Sequence, residues 1–507
     1  MEYQLAGDYF DGCYHKKTKT ATFKDHESFD KFSPANTNHK LWELDIEFDH
    51  IDAVVQSAEK GFKAWKTLSF EERSQYLNRY KEIVLSKKEE IARAISLEVG
   101  KPYWESLTEA QALASKVDVT LGDSLRRIAK QSLPDILPKT RGEIYYRPIG
   151  PTLILGPFNF PCHLANGQIL SSLLAGNSII FKPSEKTPYS AQLLFDCFVK
   201  SEFPPGTINL IQGGGETATR LIQEKAIKGI FFTGSKDVGQ KILQQTHHDL
   251  SKLVALELGG KNTTIVHRDA NTPFALSELL KSCFLTSGQR CTSTSLVAIH
   301  RSLLDQFIDS FHRLTKKIII DHPIEFEKSP FMGPLIDKKS MENYLTFMGT
   351  AKREKAQEIM RGKAIEKKYP GYYITPSIHY MENPDKSSHF IKSEIFGPNV
   401  TFIPYEEIED AIALANAPDY GLAASVFTSN DTIFSLCASN IEVGILNHNR
   451  STVGASSRFP FGGVGDSGNY RPAGVSMVDS CVYPQSCLRI SPPDHVDFSN
   501  IEGIDQS

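Results

Sequence analysis

At 507 residues, 40% apolar and 23% charged, the chain is too long for one ordinary hydrophobic core, so a globular protein of two or three domains is expected. Its 56 basic and 60 acidic residues leave a net charge of -4, which excludes a bulk field that would draw nucleic acid or an anionic membrane. The eight cysteines, at 13, 162, 197, 283, 291, 437, 481 and 487, include no C-x-x-C pair; neither a metal site nor a disulfide framework is expected, and a reducing cytoplasm fits.

The chain opens Met1-Glu2-Tyr3-Gln4, without a basic start and apolar run, so no signal peptide is expected. No segment approaches the roughly 18 apolar residues of a membrane span. The pair His247-His248 stands too isolated to read as a metal site and fits a solvated helix end. Residues 1–48 are polar and irregular, and read as strands and turns over the surface. Ile51, Val54, Val55, Ala58, Phe62 and Trp65 then recur at helical spacing. A second helical region runs through Tyr76, Leu77, Tyr80, Ile83 and Val84 to Ile91, Ala94, Ile95 and Leu97, with Gly100 and Pro102 as its terminator.

From Pro151 short apolar runs alternate with helical stretches. Strands are predicted over 152–155, 178–181, 208–211, 230–232 and 253–256, with helices between them. Continuous apolar strands separated by helices mark a parallel sheet covered on both faces, which gathers ligands outside the carboxyl ends of its strands. Asn159, Lys182, Gly213, Thr233 to Ser235 and Glu257 fall at those ends. The pattern restarts with a strand over 263–266, a helix over 273–285 and a strand over 296–299, a second α/β domain. Two strand-like segments, 142–146 and the stretch near Val482, lie outside both.

Chemistry concentrates in two places. Cys291 closes the run Ser287-Gly288-Gln289-Arg290-Cys291, and Glu257 opens Glu257-Leu258-Gly259-Gly260-Lys261. A thiol can form a covalent adduct with an aldehyde, and a carboxylate can activate the water that releases it. A lone cysteine is more often a small buried hydrophobe, so the reading depends on the motifs around it.

Gly213-Gly214-Gly215-Glu216-Thr217-Ala218 has the G-x-G-x-x-A spacing after a strand, a weak signal because glycine clusters end many strands. Phe232-Thr233-Gly234-Ser235 puts a glycine and a hydroxyl between strand and helix, where free N–H groups can receive a pyrophosphate; a plain helix cap by Ser235 is the simpler alternative. In Phe181-Lys182-Pro183-Ser184-Glu185, a carboxylate able to hold ribose hydroxyls would repel a 2′-phosphate, favouring NAD over NADP; a surface ion pair is the plain reading. Gly156-Pro157-Phe158-Asn159-Phe160-Pro161 offers a rigidly held amide that could donate to an oxyanion, or an ordinary turn residue. Glu394-Ile395-Phe396-Gly397-Pro398 adds a second carboxylate, and residues 460–468 form a long glycine loop.

These motifs, in this order from about residue 50 to 480, resemble the aldehyde dehydrogenase superfamily. The resemblance implies that Cys291 is the nucleophile, Glu257 the general base for deacylation, and Asn159 with the Cys291 N–H the oxyanion hole. It also implies an NAD site: Lys182 and Glu185 on the adenosine ribose, Ser235 at the pyrophosphate region, Gly234 permitting close cofactor approach and Glu394 at the nicotinamide ribose, with Gly213, Thr233, Gly239 and Phe396 also cofactor-binding. The fold implied is α/β, a Rossmann-type parallel-sheet cofactor domain (1–137 and 151–257), an α/β catalytic domain (258–473), a small β oligomerisation flap (138–150 and 474–495) and a tail (496–507).

Within the superfamily, Gly100-Lys101-Pro102-Tyr103-Trp104-Glu105, the stretch 158–167, Leu210 to Thr217, Ser287 to Thr292 and Ser467-Gly468-Asn469-Tyr470-Arg471-Pro472 resemble most the succinylglutamate semialdehyde dehydrogenases. Lys261, where that group often has Asn, and Cys162, where it has a small residue, are departures, and the first forty-odd residues match poorly. The resemblance implies a small anionic aldehyde as substrate and a homo-oligomer, with no nucleic-acid or membrane partner. Arg290, Arg450, Arg458 and Arg471, with Ser456 and Ser457, are the candidates to meet its carboxylates. Another semialdehyde, of succinate or glutamate, is the alternative substrate; a CoA-acylating enzyme would not need Glu257, and an inactive structural homologue would not need its thiol, amide and carboxylate together.

Overall fold

The computed structural model describes residues 3–16, 26–385, 387–492 and 502–503; apart from its last two described positions, the expected tail at 496–507 lies outside them. The apolar runs after Pro151 form parallel strands of a seven-stranded sheet, in the spatial order Leu253–Glu257, Gly229–Thr233, Thr152–Leu155, Ile179–Lys182 and Ile208–Leu210. Thr152–Leu155 comes first in sequence yet lies in the middle, so the chain winds outward in both directions from it. The crevice beside this reversal is where such sheets bind ligands. Helices His163–Ala175, Pro188–Val199, Gly215–Gln223 and Lys236–Thr246 fill the connections.

The amino-terminal residues do more than cover the surface. Asp8–Phe10 pairs antiparallel with Ile208–Leu210 through Tyr9 and Leu210, and Cys13–His15 closes that edge. A long hairpin, His26–Ser33 with Asn36–Glu47, follows. The helical periodicity then becomes His50–Trp65, Phe70–Ser86 and Lys88–Val99. Ser69 and Glu72 exchange side-chain and backbone hydrogen bonds at 2.7 and 3.2 Å, a capping box that starts the second of these. Gly100, in the left-handed region at φ 88°, ends the third. Pro102, read from sequence as part of the stop, is also the cap residue of a further helix, Tyr103–Val119, which the sequence reading missed.

The second domain is built on another seven-stranded sheet, with Ser377–Tyr380, Asn399–Tyr405, Thr294–His300, Asn262–Val266, Ala423–Phe427 and Ile445–His448 parallel and Gln357–Met360 antiparallel at one edge. Val482–Ile490, Thr140–Pro148 and Gln131–Leu137 make a separate three-stranded antiparallel sheet.

The long helices seat on the first sheet by close backbone approach. A Cβ at Gly61, in His50–Trp65, would lie 2.0 Å from the carbonyl carbon of Gly206, in the turn before Ile208–Leu210. One turn on, the Trp65 indole is fully buried and donates to the Leu173 carbonyl at 2.9 Å. Gly61→Ala is therefore expected to destabilise the protein by about 1–3 kcal/mol through overpacking, read as a lower urea midpoint at unchanged slope.

Candidate active site

The carboxyl ends of the strands in the first sheet deliver the site. Glu257 ends the outer strand and pairs in register with Thr233 on the next. The Gly234 N–H donates to the Glu257 carbonyl at 3.0 Å, and residue 257 also bridges to Gly468 of the glycine loop. Its side chain is 1% exposed, and neither carboxyl oxygen has a hydrogen-bond partner among the described residues. Burial pushes its pKa well above the ordinary carboxylate value, against a partial opposing pull from Arg471.

Cys291 arrives from the second domain. Its loop is sharply bent: Thr286 and Ser287 have φ of 54° and 55°, and Gly288 follows at 72°. Left-handed backbone at a β-branched threonine is costly and marks a constrained segment. A Cβ at Gly288 would lie 2.4 Å from the Gly397 carbonyl, so the loop rests directly on the Glu394 segment. Asn262 Nδ2 donates to the Cys291 carbonyl at 2.7 Å and to the Ser293 carbonyl at 2.9 Å, fixing the loop from below. The thiol is half-buried. Its pKa stands well above the usual value, first through burial, then through the charges of Glu257 and Glu394, while its own backbone N–H and Arg290 pull the other way. Sulfur and both carboxylates therefore share one electrostatic neighbourhood.

Asn159 follows the central strand Thr152–Leu155 and is buried. Its Nδ2 donates to the Gln289 carbonyl at 2.9 Å, and its Oδ1 accepts from the Phe160 N–H at 3.1 Å. The amide nitrogen is thus turned toward the Cys291 loop, two residues before the cysteine. Three residues far apart in sequence meet at the join of the two domains.

Most of the residues read as cofactor-binding lie at the carboxyl ends of the same sheet's strands or just beyond them. Lys182 ends its strand with Nζ donating to the carbonyls of Pro183 at 2.7 Å and Gly213 at 2.6 Å, and Glu185 lies half-buried just beyond. A Cβ at Gly213 would sit 2.1 Å from Thr217 Oγ1, so only glycine lets that strand turn so tightly into Gly215–Gln223. Ser235 occupies the cap position of Lys236–Thr246, yet its side chain makes no cap hydrogen bond, leaving the helix N–H groups free for a ligand. A Cβ at Gly234 would strike the Phe232 ring at 2.3 Å, and one at Gly239 the Leu258 side chain at 2.8 Å.

Glu394 accepts from the Gly260 N–H at 3.0 Å and lies where a Cβ on Gly259 would be 2.1 Å from its Oε2. Burial raises its pKa to about 7, against the Gly260 N–H and Lys261. Phe396, at φ 51°, meets Phe158 edge-on with ring centroids 5.9 Å apart. Lys261 is buried with no hydrogen-bond partner for its Nζ among the described residues, its ammonium standing 5.4 Å from the Phe390 ring centroid, and burial lowers its pKa to about 7 despite Glu394.

The four arginines separate cleanly. Arg290 is paired with Glu105 at 2.6 Å, Arg458 with Asp123 at 2.9 Å, and Arg450 donates to the Gly454 carbonyl at 2.7 Å. Arg471 donates no side-chain hydrogen bond among the described residues and acts electrostatically on Glu257. Glu105 and Glu109, which bind the loops carrying Cys291 and Asn159, were not singled out from sequence. Their four-residue spacing on the overlooked helix was the signal available.

The Glu257 carboxyl yields a stability prediction with a definite sign. Its folded pKa lies above its unfolded value, so the folded state keeps a proton that the unfolded chain has released, and stability falls as pH rises above about 4.5 toward the folded value. Glu257→Gln is therefore expected to raise the thermal midpoint at pH 8 and to change it little at pH 5, measured by calorimetry.

The comparisons agree with this architecture. A profile described as the aldehyde dehydrogenase family matches residues 22–486. The chain is 33% identical over 449 residues to an N-succinylglutamate 5-semialdehyde dehydrogenase of Vibrio cholerae, covering 87% of this chain and 89% of the relative. It is 34% identical over 444 residues to N-succinylglutamate 5-semialdehyde dehydrogenase 1 of Caulobacter vibrioides, covering 87% and 92%. Among solved structures it is similar to betaine aldehyde dehydrogenase from Staphylococcus aureus in complex with NAD+, with a TM-score of 0.90, 25% identity and 97% coverage of each chain. A 1-pyrroline-5-carboxylate dehydrogenase from Thermus with bound NAD superposes with a TM-score of 0.87 at 24% identity, covering 96% of this chain and 92% of that one. The chain belongs to the aldehyde dehydrogenase family.

Proposed function

We propose that the protein oxidises an aldehyde to a carboxylic acid with NAD, through a thiohemiacetal and then a thioester on Cys291. The observation that carries this reading is the meeting of a thiol, an amide turned toward its loop and a buried carboxylate with two unpartnered oxygens. Cys291 gives its proton to solvent and attacks the carbonyl carbon, and Asn159 Nδ2 with the Cys291 N–H holds the oxygen that becomes negative. NAD, when bound, supplies the hydride acceptor. Glu257 then takes a proton from the water that attacks the thioester, which returns the free thiol and releases the acid.

The NAD assignment rests on the uncapped helix start at Ser235, the glycines at 213, 234 and 239, Thr233, Lys182 and Glu185 toward the adenosine end, and Glu394 and Phe396 toward the nicotinamide end. A carboxylate at Glu185 favours NAD over a cofactor with a 2′-phosphate.

The aldehyde we propose is N-succinylglutamate 5-semialdehyde, oxidised to N-succinylglutamate in arginine catabolism, on the strength of the relatives at 33% and 34% identity. Its carboxylates need a cation, and Arg471 is the one of the four candidate arginines with an uncommitted guanidinium among the described residues. Arg471→Ala should raise KM for this substrate while leaving KM for a neutral aldehyde unchanged; an equal rise for both would remove Arg471 from the substrate site.

We also propose a cytoplasmic homo-oligomer, because all eight cysteines are free thiols and the three-stranded sheet presents Leu133, Ile136, Leu137, Leu488 and Ile490 to solvent. This sheet would be the oligomerisation flap, with 1–137 and 151–257 as the cofactor domain and 258–473 as the catalytic domain. Replacing Leu137 and Leu488 with Arg should shift the sedimentation coefficient to that of a single chain.

Two variants test the chemistry. Cys291→Ala should abolish NADH production from every aldehyde in a panel while NAD still binds by calorimetric titration. Asn159→Ala should lower kcat by about 10²- to 10³-fold, the usual cost of one lost oxyanion donor. Normal turnover by either would refute the assignment.

A further inference from the structure

The nucleophile loop and the amide loop come from different domains, yet both are gripped by one helix. Glu105 and Glu109 lie one turn apart on Tyr103–Val119, so their side chains share a helix face. Glu105 accepts from the Thr286 N–H at 3.1 Å, from the Thr286 hydroxyl, and from Arg290 at 2.6 Å. Arg290 Nε closes the triangle on Thr286 Oγ1 at 2.8 Å. Glu109 accepts from the N–H groups of Cys162 and His163, each at 3.1 Å, and pairs with the buried Lys101 ammonium. The first set holds the loop that ends in Cys291; the second holds the chain three residues after Asn159.

Phe160 ties the two grips together. Its ring centroid lies 3.7 Å from the Lys101 ammonium and 4.9 Å from the Arg290 guanidinium, so the cation partner of each glutamate reaches the residue next to Asn159. We propose that Glu105 and Glu109 are positioning residues, and that their spacing on one helix sets the distance between the Cys291 thiol and the Asn159 amide. This inference rests on the roles proposed above for Cys291 and Asn159.

The strain in the nucleophile loop explains why a strong grip is needed. Left-handed backbone at Thr286 and Ser287 is costly and persists only where the surroundings enforce it. Glu105 meets Thr286 by backbone and side chain at once. Burial would push the Glu105 pKa up, but Arg290 and Lys101 outweigh it and hold the group below its ordinary value, as a charged acceptor. Bonds to a charged acceptor are roughly twice as strong as neutral ones. A glutamine offers only one accepting oxygen and cannot satisfy three donors in the same geometry.

The test uses the full chain with Glu105→Gln and Glu109→Gln. Single-turnover NADH formation is measured at saturating NAD and aldehyde, beside iodoacetamide alkylation of Cys291 followed by mass spectrometry. Alkylation needs the thiolate in place but no oxyanion site, so a change in loop spacing separates the two readouts. Single-turnover rates should fall by about 10- to 100-fold, while alkylation and KM for NAD change by less than about twofold. A single-turnover rate within about twofold of the parent in both variants, or alkylation falling in step with it, would overturn the inference. Should either variant fail to fold, Arg290→Lys keeps the charge opposite Glu105 but loses the planar fork, and the same split is expected. An NADH burst in the parent that Cys291→Ala abolishes distinguishes a failure here from a failure of the mechanism itself.

Discussion

The outer edge of the first sheet is closed by the glycine loop from near the end of the chain, and this closure places Glu257. Leu253–Glu257 has a sheet neighbour on one side only. On the other side the Asn469 N–H donates to the Leu256 carbonyl at 3.0 Å, the Leu258 N–H to the Ser467 carbonyl at 3.0 Å, and the Leu256 N–H to Asn469 Oδ1 at 2.7 Å. A Cβ at Gly468, which has φ 127°, would lie 2.1 Å from the Leu256 carbonyl oxygen, so the approach requires glycine. Unpaired strand edges recruit other chains. Here the edge is satisfied by the protein's own backbone, and the strand end is fixed to the glycine loop. Ser467 Oγ extends the lock by donating to the Gly259 carbonyl at 2.7 Å, just before the glycine that receives the Cys291 loop.

That arrangement was only partly legible in the sequence. Strands such as 152–155 and 230–232 could be read because both faces are buried and the apolar runs are unbroken. Glu257, Cys291 and Asn159 could be singled out because each sits among glycines, prolines or aromatics that mark constrained loops. Their convergence could not be read, since it depends on long-range strand order and on a loop some 200 residues away closing one edge. The Tyr103–Val119 helix was missed for a local reason. Gly100 and Pro102 are strong stop signals, and a proline just outside a helix serves equally as a start, so two adjoining helices appeared as one helix and its end. The strand Asp8–Phe10, next to the sheet edge, is too short, at three residues, to show a period.

The electrostatics of the site impose an order on the proposed reaction. Burial raises the pKa of both thiol and carboxyl, and the Glu257 charge raises that of Cys291 further. Two such groups titrate as a pair, so ionising both at once is costly. Attack on the aldehyde needs the thiolate, which is favoured while Glu257 keeps its proton and adds no opposing charge. Once the sulfur carries the acyl group it is neutral, so ionising Glu257 no longer places two anions side by side at the step that needs a base. In the proposed reaction, burial of both groups thus favours charging nucleophile and base in succession over charging them together.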